Sequence, residues 1–355
     1  MPQSTFVVNN EELNFISQIQ GLAAAGSTIL DVVASESRSL YAKDWTRLSY
    51  QARCSGAEFS VKLQQPSNAA HLRLDVMHAS PTLDGFQVLT QKLKNSGEAQ
   101  IRAELKGKSI TFLGCARQCE AALPETIAKI ASLGALFGSW RLVVFENDST
   151  DSTARVVQEL ARTLPIELIQ HPDLKDALPE RTARLAFGRN ALLTRALEIG
   201  SDYICCSDLD GVINRDLPSE ASFLDSFGLA DCWDAVFPVN AGLYYDIWAL
   251  RHPVLCPGDY VTLGTVMDAS LGRKLAVHFA ATFLQIDMRS LQGWLPVDSA
   301  FGGMGIYKKE ALRGARYIGM QEGSEICEHV PLHEQMREQG LRLFINPNFV
   351  VAAHG

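Results

Sequence analysis

From residue 109 onward, short apolar, β-branched runs alternate with stretches whose apolar residues recur at helical spacing. That alternation is the pattern of a largely parallel sheet covered by helices. Residues 110–115 read as a first strand and 124–137 as a helix, with Pro124 suited to its first turn. Residues 142–145 form a second strand. The polar run Glu146-Asn147-Asp148-Ser149-Thr150-Asp151-Ser152-Thr153 follows as a turn, whose Ser and Asp side chains can cap a helix reaching about residue 163. A third strand over 166–170 and a long helix over 183–199 lead to a fourth strand, 203–207. That strand delivers Asp208-Leu209-Asp210-Gly211 at its carboxyl end, the end of an open α/β sheet where ligands bind.

The first hundred residues carry a different pattern. Residues 11–34 read as an amphipathic helix, while 58–63 and 71–76 alternate like strands joined by the turn Gln64-Gln65-Pro66-Ser67-Asn68. Two domains are therefore expected: a small α+β module over 1–108 and a main domain over 109–355. The module contains no chemistry that can be named, and packing or oligomerisation is as good a role for it as ligand binding. There are no internal repeats, and the sequence leaves the oligomeric state open.

Composition narrows the partners. The chain has 355 residues, 47% hydrophobic and 20% charged, enough to bury a large core. A formal charge of −8 works against a nucleic-acid partner, which needs a surplus of Lys and Arg. It leaves room for a small diphosphate ligand, whose charge a bound divalent cation neutralises locally. No stretch approaches the roughly 18–20 apolar residues of a membrane span, and Met1-Pro2-Gln3-Ser4-Thr5 lacks the character of a signal peptide. A cytoplasmic protein is expected. The eight cysteines form no CxxC pair, and Cys115, Cys205 and Cys206 sit in apolar runs, so neither zinc nor disulfides are expected.

Asp208 and Asp210 lie two apart in an extended segment and so share a face. Such a pair suits a hard ion, Mn²⁺ or Mg²⁺, that also takes oxygens from a diphosphate. A solvated turn is the default reading of any DxD. The apolar run Tyr203-Ile204-Cys205-Cys206 shifts that prior by aiming the pair at a strand's carboxyl end, and Gly211 lets the backbone turn there. The hexamer Asp208-Leu209-Asp210-Gly211-Val212-Ile213 also resembles the first motif of haloacid-dehalogenase-type phosphatases. That alternative expects the motif on the first strand of the core, with a Ser/Thr, a Lys and an acidic pair on later strands.

The wider order of features resembles the GT-A glycosyltransferases. The turn containing Glu146, Asn147 and Asp148 is similar to the one with which those enzymes hold base and ribose. Arg184, Arg189 and Asn190 lie on the helix before the DxD strand, where an Arg fork can reach the nucleotide or its phosphates, and Arg117 follows the first strand. Gly302 and Gly303 sit in a segment like the glycine loop beside the donor and acceptor sugars. Glu325 and Glu328 fall where an acidic catalytic or acceptor-binding residue is common, and His354 where many members carry a histidine metal ligand. Each residue has a plainer reading, as a surface cation, a turn or a solvated acid; the ordered set is what discriminates. His329 and His333, four apart, read as surface histidines rather than as a helix-face metal pair.

Over about two thirds of the chain, from Phe112 to His354, the sequence also resembles the fungal capsule-associated α-1,3-mannosyltransferase family. The segments that carry this include Phe145-Glu146-Asn147-Asp148-Ser149-Thr150-Asp151, Arg184-Leu185-Ala186-Phe187-Gly188-Arg189-Asn190, Tyr244-Tyr245-Asp246-Ile247-Trp248-Ala249-Leu250-Arg251 and Gly323-Ser324-Glu325-Ile326-Cys327. The resemblance implies a Rossmann-like GT-A mixed sheet with helices on both faces, a GDP-mannose-like donor favoured over a UDP-sugar, a glycan acceptor, and retention at the anomeric carbon. Asp210, with Asp208 and His354, would share the ion with the diphosphate. With inversion, Glu325 or Glu328 would be the base; with retention, Asp246 would stabilise or attack the oxocarbenium-like centre. The sequence leaves both open. A non-catalytic glycan-binding protein on the same scaffold is the alternative of another class, and it predicts loss of one or both metal carboxylates.

Overall fold

All four strands expected between residues 109 and 207 form. The computed structural model describes residues 3–9, 30–36, 45–54, 57–66 and 71–78, and residues 97–352 except 253, 254, 257, 262, 263, 266, 267, 269–272, 282–284 and 292. Contacts divide the chain into two units, Met1–Asp84 with Arg251–Ile286, and Gly85–Leu250 with Asp287–Gly355.

The first unit carries an antiparallel sheet of β1 (Gln3–Asn9), β2 (Leu30–Glu36), β3 (Trp45–Cys54), β4 (Ala57–Pro66) and β5 (His71–His78), in the order β1-β5-β4-β3-β2. The helix expected over 11–34 is corrected at its end: residues 30–34 belong to β2, whose β-branched Val32 and Val33 favour extended backbone. Residues 11–29 lie outside the described residues. The turn expected from Gln64 begins later, because β4 runs on to Pro66.

The second unit is built on an eight-stranded sheet. Its parallel half consists of β6 (Ser109–Ala116), β7 (Ser139–Glu146), β8 (Ile166–Gln170) and β9 (Tyr203–Ser207), ordered β9-β6-β7-β8. The other half adds β10 (Ala235–Asn240), β11 (Leu295–Pro296), β12 (Met304–Lys308) and β15 (Leu343–Val351), in the order β11-β15-β10-β12. Strand β12 runs antiparallel to both β9 and β10, which makes the sheet mixed. A small hairpin, β13 (Met320–Gln321) and β14 (Ser324–Glu325), stands apart.

Alternation along the strands puts helices on both faces. Phe112, Leu142, Val144 and Cys205 pack in one core with Leu123, Ile127, Ile130 and Leu133 of α2 (Leu123–Gly134), and with α1 (Glu98–Leu105) through Ile101 and Leu105. These α2 side chains are completely buried, each stabilising by roughly 1.5–3 kcal/mol. The intervening residues Cys115 and Phe145 face the opposite way, against α5 (Arg181–Ile199). Helix α5 sits close to β7 because residue 188 is glycine: a Cβ there would lie 2.6 Å from Phe145 Cδ1. The helices α3 (Thr153–Leu160), α4 (Leu174–Ala177), α6 (Glu220–Asp225) and α7 (His329–Glu338) complete the unit. The expected mixed sheet with helices on both faces is the observed architecture. Among the described residues no helix is long and apolar enough to cross a membrane.

Candidate active site

The loops after β6, β7 and β9 all leave the sheet at the same end, and a cleft of about 480 Å³ opens there. Its wall takes Cys115 to Cys119 from the end of β6 and the loop after it, Asn147 from the loop after β7, Asp208 to Asp210 from the loop after β9, and Arg181, Arg184, Leu185 and Arg189 from α5. Tyr245, Asp246, Trp248 and Phe301 close one side with Cys327, Glu328 and His329. The position outside the carboxyl ends of parallel strands is where an open α/β sheet binds ligands, and the size suits a small molecule.

The floor is a buried charge network. Arg189 is buried; its Nε donates to Glu328 Oε1 at 2.8 Å and its Nη2 to Asp208 Oδ1 at 3.2 Å. Its guanidinium lies 4.9 Å from the Phe301 ring centroid, within cation–π range. Asp246 joins the same floor: Oδ2 accepts from Gly302 N at 2.9 Å and Oδ1 from Ala249 N at 3.3 Å. Asp208, Asp246 and Glu328 thus share the single buried cation Arg189 among the described residues lining the cleft. Burial pushes the Asp208 carboxyl up to about 7; Arg189 opposes the shift, and Asp210, Asp246 and Glu328 add to it. Burial likewise raises Asp246, against the backbone N–H groups of Gly302 and Ala249.

The DxD turn is tied to the glycine loop. Asp208 N donates to Gly303 O at 2.9 Å. Gly302 and Gly303 have φ of +65° and +92°, the left-handed region that favours glycine. Neither glycine lines the cleft itself. Their part is to present Phe301 and to supply the backbone groups that hold Asp208 and Asp246.

Several of the expected residues are placed away from the wall of the cleft. Glu146 and Asp148 do not line the cleft, because the chain uses their carboxylates to shape the turn. Glu146 accepts from Ser149 N at 3.0 Å and from Gln170 Nε2 at 3.1 Å; Asp148 accepts from Leu174 N and Lys175 N at the start of α4, at 3.1 and 2.9 Å. Only Asn147 of that trio faces the cleft. Asn190 is turned away, pairing with both backbone groups of Tyr317 at 2.9 Å. Arg184 lines the cleft while its Nη1 donates to Leu178 O at 2.6 Å and Pro179 O at 2.5 Å.

Glu325 also lies off the cleft. Its Oε2 accepts from Thr182 N and Thr182 Oγ1, both at 2.9 Å, in the first turn of α5. These bonds hold the carboxyl below its ordinary value, helped by nearby Arg181. It serves as a tertiary cap for α5. Glu325→Ala is therefore expected to lower stability by about 1 kcal/mol, read as a small fall in melting temperature. An unchanged melting temperature would remove the capping role.

Glu328 is the acid of that pair which reaches the cleft. His329 and His333, expected at the surface, are instead 2% and 0% exposed. They occupy the inward face of α7, against Phe301, Tyr307 and Phe237. His354 lies outside the described residues. Tyr245, Trp248 and Phe301 belong to segments already notable in the sequence, whereas nothing in the sequence marks Arg181 as a lining residue.

Among the described residues no three His, Cys, Asp or Glu side chains are placed to hold a metal ion by themselves. Asp208 and Asp210 nevertheless offer hard oxygen donors beside the half-buried Asp246 and the buried Glu328. That suits an ion such as Mg²⁺, which is commonly bound through one or two carboxylates together with substrate phosphates. The phosphatase alternative fares worse. Three strands of the same sheet precede the Asp208 strand in the chain, and no lysine is found among the described lining residues.

No protein-family model matches the sequence, and no curated protein matches it. Among solved structures the chain is similar to a mannosyltransferase from Pyrobaculum calidifontis in complex with GDP-Man and Mn²⁺, at 16% identity and a TM-score of 0.42, covering 69% of this chain and 56% of that one. It is also similar to glucosyl-3-phosphoglycerate synthase from Mycobacterium tuberculosis in complex with UDP, at 17% identity and a TM-score of 0.41, covering 73% and 76%. A third similarity is to S. aureus TarS, residues 1–349, at 13% identity and 0.38, covering 69% and 60%. The chain thus spans little more than half the length of the first. Similarities of this size assign neither a donor nor a residue role.

Proposed function

We propose that the protein is a metal-dependent glycosyltransferase that moves a hexose from a nucleotide-sugar donor to a hydroxyl acceptor. The observation that supports this most is the acidic floor: Asp208 and Asp210 at the carboxyl end of β9, with Asp208 pushed up to about 7 beside Asp246 and Glu328, and Arg189 the one buried cation among the described lining residues. Such a floor favours a ligand that brings a cation with it. Asp208 and Asp210 would hold Mn²⁺ or Mg²⁺, which when bound supplies Lewis-acid neutralisation of the diphosphate leaving group. Arg184, at the rim, can add charge stabilisation to the same phosphates. Glu328 gives an oxygen to Arg189, and Asp246 is fixed by the N–H of Gly302 in the glycine loop and by that of Ala249 in its own segment. Asp246 is our candidate for the carboxylate facing the anomeric carbon in a retaining reaction, and Glu328 for the base in an inverting one. The resemblance around Tyr244 to Arg251 favours a guanine nucleotide and mannose.

Calorimetry of GDP and UDP with Mn²⁺ or EDTA tests this reading. Without the ion a diphosphate meets two carboxylates, and like charges at about 4 Å repel by a few kcal/mol at an effective dielectric near 20. Binding is expected with Mn²⁺, GDP the tighter, and is expected to weaken by two orders of magnitude or more with EDTA, on the order of 3 kcal/mol. Equal affinity with and without the ion would remove the mechanism. Tighter UDP would remove the guanine assignment alone.

A further inference from the structure

We infer that Arg181 and Arg184 bind an acid group, phosphate or carboxylate, on the acceptor, so that the hydroxyl compound receiving the sugar is itself an anion. The inference rests on the glycosyltransferase reading and adds to it the chemical class of the second substrate. Its starting point is the inner face of α5. Arg181, Arg184, Leu185 and Arg189 all line the cleft. They stand at positions i, i+3, i+4 and i+8, which puts them in one stripe along the helix.

The two ends of the stripe differ. Arg189 is buried and paired, with Glu328 at 2.8 Å and Asp208 at 3.2 Å. Arg181 is exposed and Arg184 half-buried, and among the described residues neither has an acid within ion-pair distance. The Arg184 guanidinium donates through Nη1 to the main-chain oxygens of Leu178 and Pro179, at 2.6 and 2.5 Å. Those two residues precede the helix, so the bonds anchor the group at the amino end of the stripe and leave its charge unbalanced. Glu325, the acid that feels the charge of Arg181, has its Oε2 committed to Thr182 N and Oγ1. In a chain of net charge −8, two arginines so placed in the first turn of a cleft-lining helix form a ready site for an anion.

The donor's charge belongs at the other end. A nucleotide sugar carries its charge on the diphosphate; its base, ribose and hexose are neutral. The diphosphate would share the ion held by Asp208 and Asp210, with ligand distances of about 2 Å, and Asp208 is in contact with Arg189. Eight residues of helix separate Arg181 from Arg189, about 12 Å along the axis. Arg184 lies between and borders both anions, whereas Arg181 is left with no charge of the donor to meet. The anion that answers it comes with the other substrate.

The test separates acceptor from donor. Mannose 6-phosphate, glucuronate and mannose are titrated by calorimetry into the full chain saturated with Mn²⁺ and with GDP or UDP, whichever binds tighter. Wild type, R181M and R181K are compared, the nucleoside diphosphate is titrated separately into each with Mn²⁺, and melting temperatures are recorded. Wild type is expected to bind at least one of the two acid sugars tenfold or more tighter than mannose, and which of them it prefers tells phosphate from carboxylate. R181M changes an exposed side chain, so its melting temperature should hold. It is expected to weaken the acid sugar by about tenfold, the worth of one charge-assisted hydrogen bond, and to leave the nucleoside diphosphate unchanged. R181K, which keeps the charge, is expected to recover part of the loss. The absence of any preference for acid over neutral sugar in nucleotide-loaded wild type would overturn the inference. So would an equal loss of acid sugar and nucleoside diphosphate in R181M, which would give Arg181 to the donor. If no nucleoside diphosphate binds wild type with Mn²⁺, the glycosyltransferase reading itself fails and the inference falls with it.

Discussion

Asp210→Ala is expected to reduce transfer by roughly a hundred- to a thousand-fold or more, with the melting temperature of the metal-free protein almost unchanged. The two halves of this expectation have separate causes. Asp210 is exposed at the lip of the cleft, so its replacement opens no cavity, and surface changes of that kind shift stability by about 0.5 kcal/mol or less. Its neighbour Leu209, by contrast, is buried in the core and anchors the turn: a Cβ added at Gly114 would lie 2.5 Å from Leu209 Cγ. The turn therefore keeps its place when Asp210 is changed, and the cost falls on the ion and on the charge of the leaving diphosphate. Asp210 also raises the carboxyl of Asp208, so the variant leaves Asp208 easier to ionise yet without its partner ligand. Steady-state transfer and donor hydrolysis, each measured with Mn²⁺ in excess, decide the matter. Wild-type rates in a folded Asp210→Ala protein would sink the metal assignment.

The strands are legible in the sequence because each is a short run rich in apolar residues bounded by polar ones, and β9 is buried along its whole length. Residues 203–207 and 166–170 form strands with the expected bounds, and the helix expected from 183 to 199 starts only two residues earlier, at Arg181. What local pattern does not reveal is pairing between distant segments. Strand β12 enters between β9 and β10 antiparallel to both, a placement fixed by contacts with segments about seventy and about a hundred residues earlier in the chain.

The same limit explains the site. Glu325 and Glu328 are three residues apart and chemically alike, but β14 hands Glu325 to the α5 terminus while the start of α7 turns Glu328 to Arg189. Nothing in the intervening Ile326-Cys327 distinguishes the two. The inward face of α7 escapes local pattern because its hydrophobic partners, Phe237, Phe301 and Tyr307, come from three other segments. Position within motifs marks Glu146, Asp148 and Asn190 as ligand contacts; in the fold each satisfies backbone N–H or C=O groups of this chain, a demand that depends on the folded path.

Arg189→Met is expected to lower stability by about 3–5 kcal/mol near pH 8 without metal, the cost of removing one partner from a buried ion pair. For a unit of this size that corresponds to a fall of roughly ten degrees in melting temperature. The loss depends on pH with a sign fixed by Asp208. Its carboxyl is raised from 3.8, the ordinary value for an aspartate, to about 7 in the folded protein. Between those values the native chain holds a proton that the unfolded chain has released. Stability from this group is therefore fully present below the unfolded value and declines as pH rises through the folded one, by at most about 1.4 kcal/mol per pH unit. With 27% of the Asp208 side chain exposed, solvent screening keeps the slope below that limit. Arg189 opposes the shift, so its removal extends the window upward. The difference between wild type and variant should thus be small at pH 5 and large at pH 8. Mn²⁺ at pH 8 should narrow it by binding the folded chain alone. Thermal melts of both proteins at the two pH values, with and without Mn²⁺, read all four terms. A deficit that is the same at pH 5 and pH 8 and does not respond to Mn²⁺ would show that Arg189 stabilises through packing against Phe301 and Tyr317, and that the acidic floor does not call for a cation.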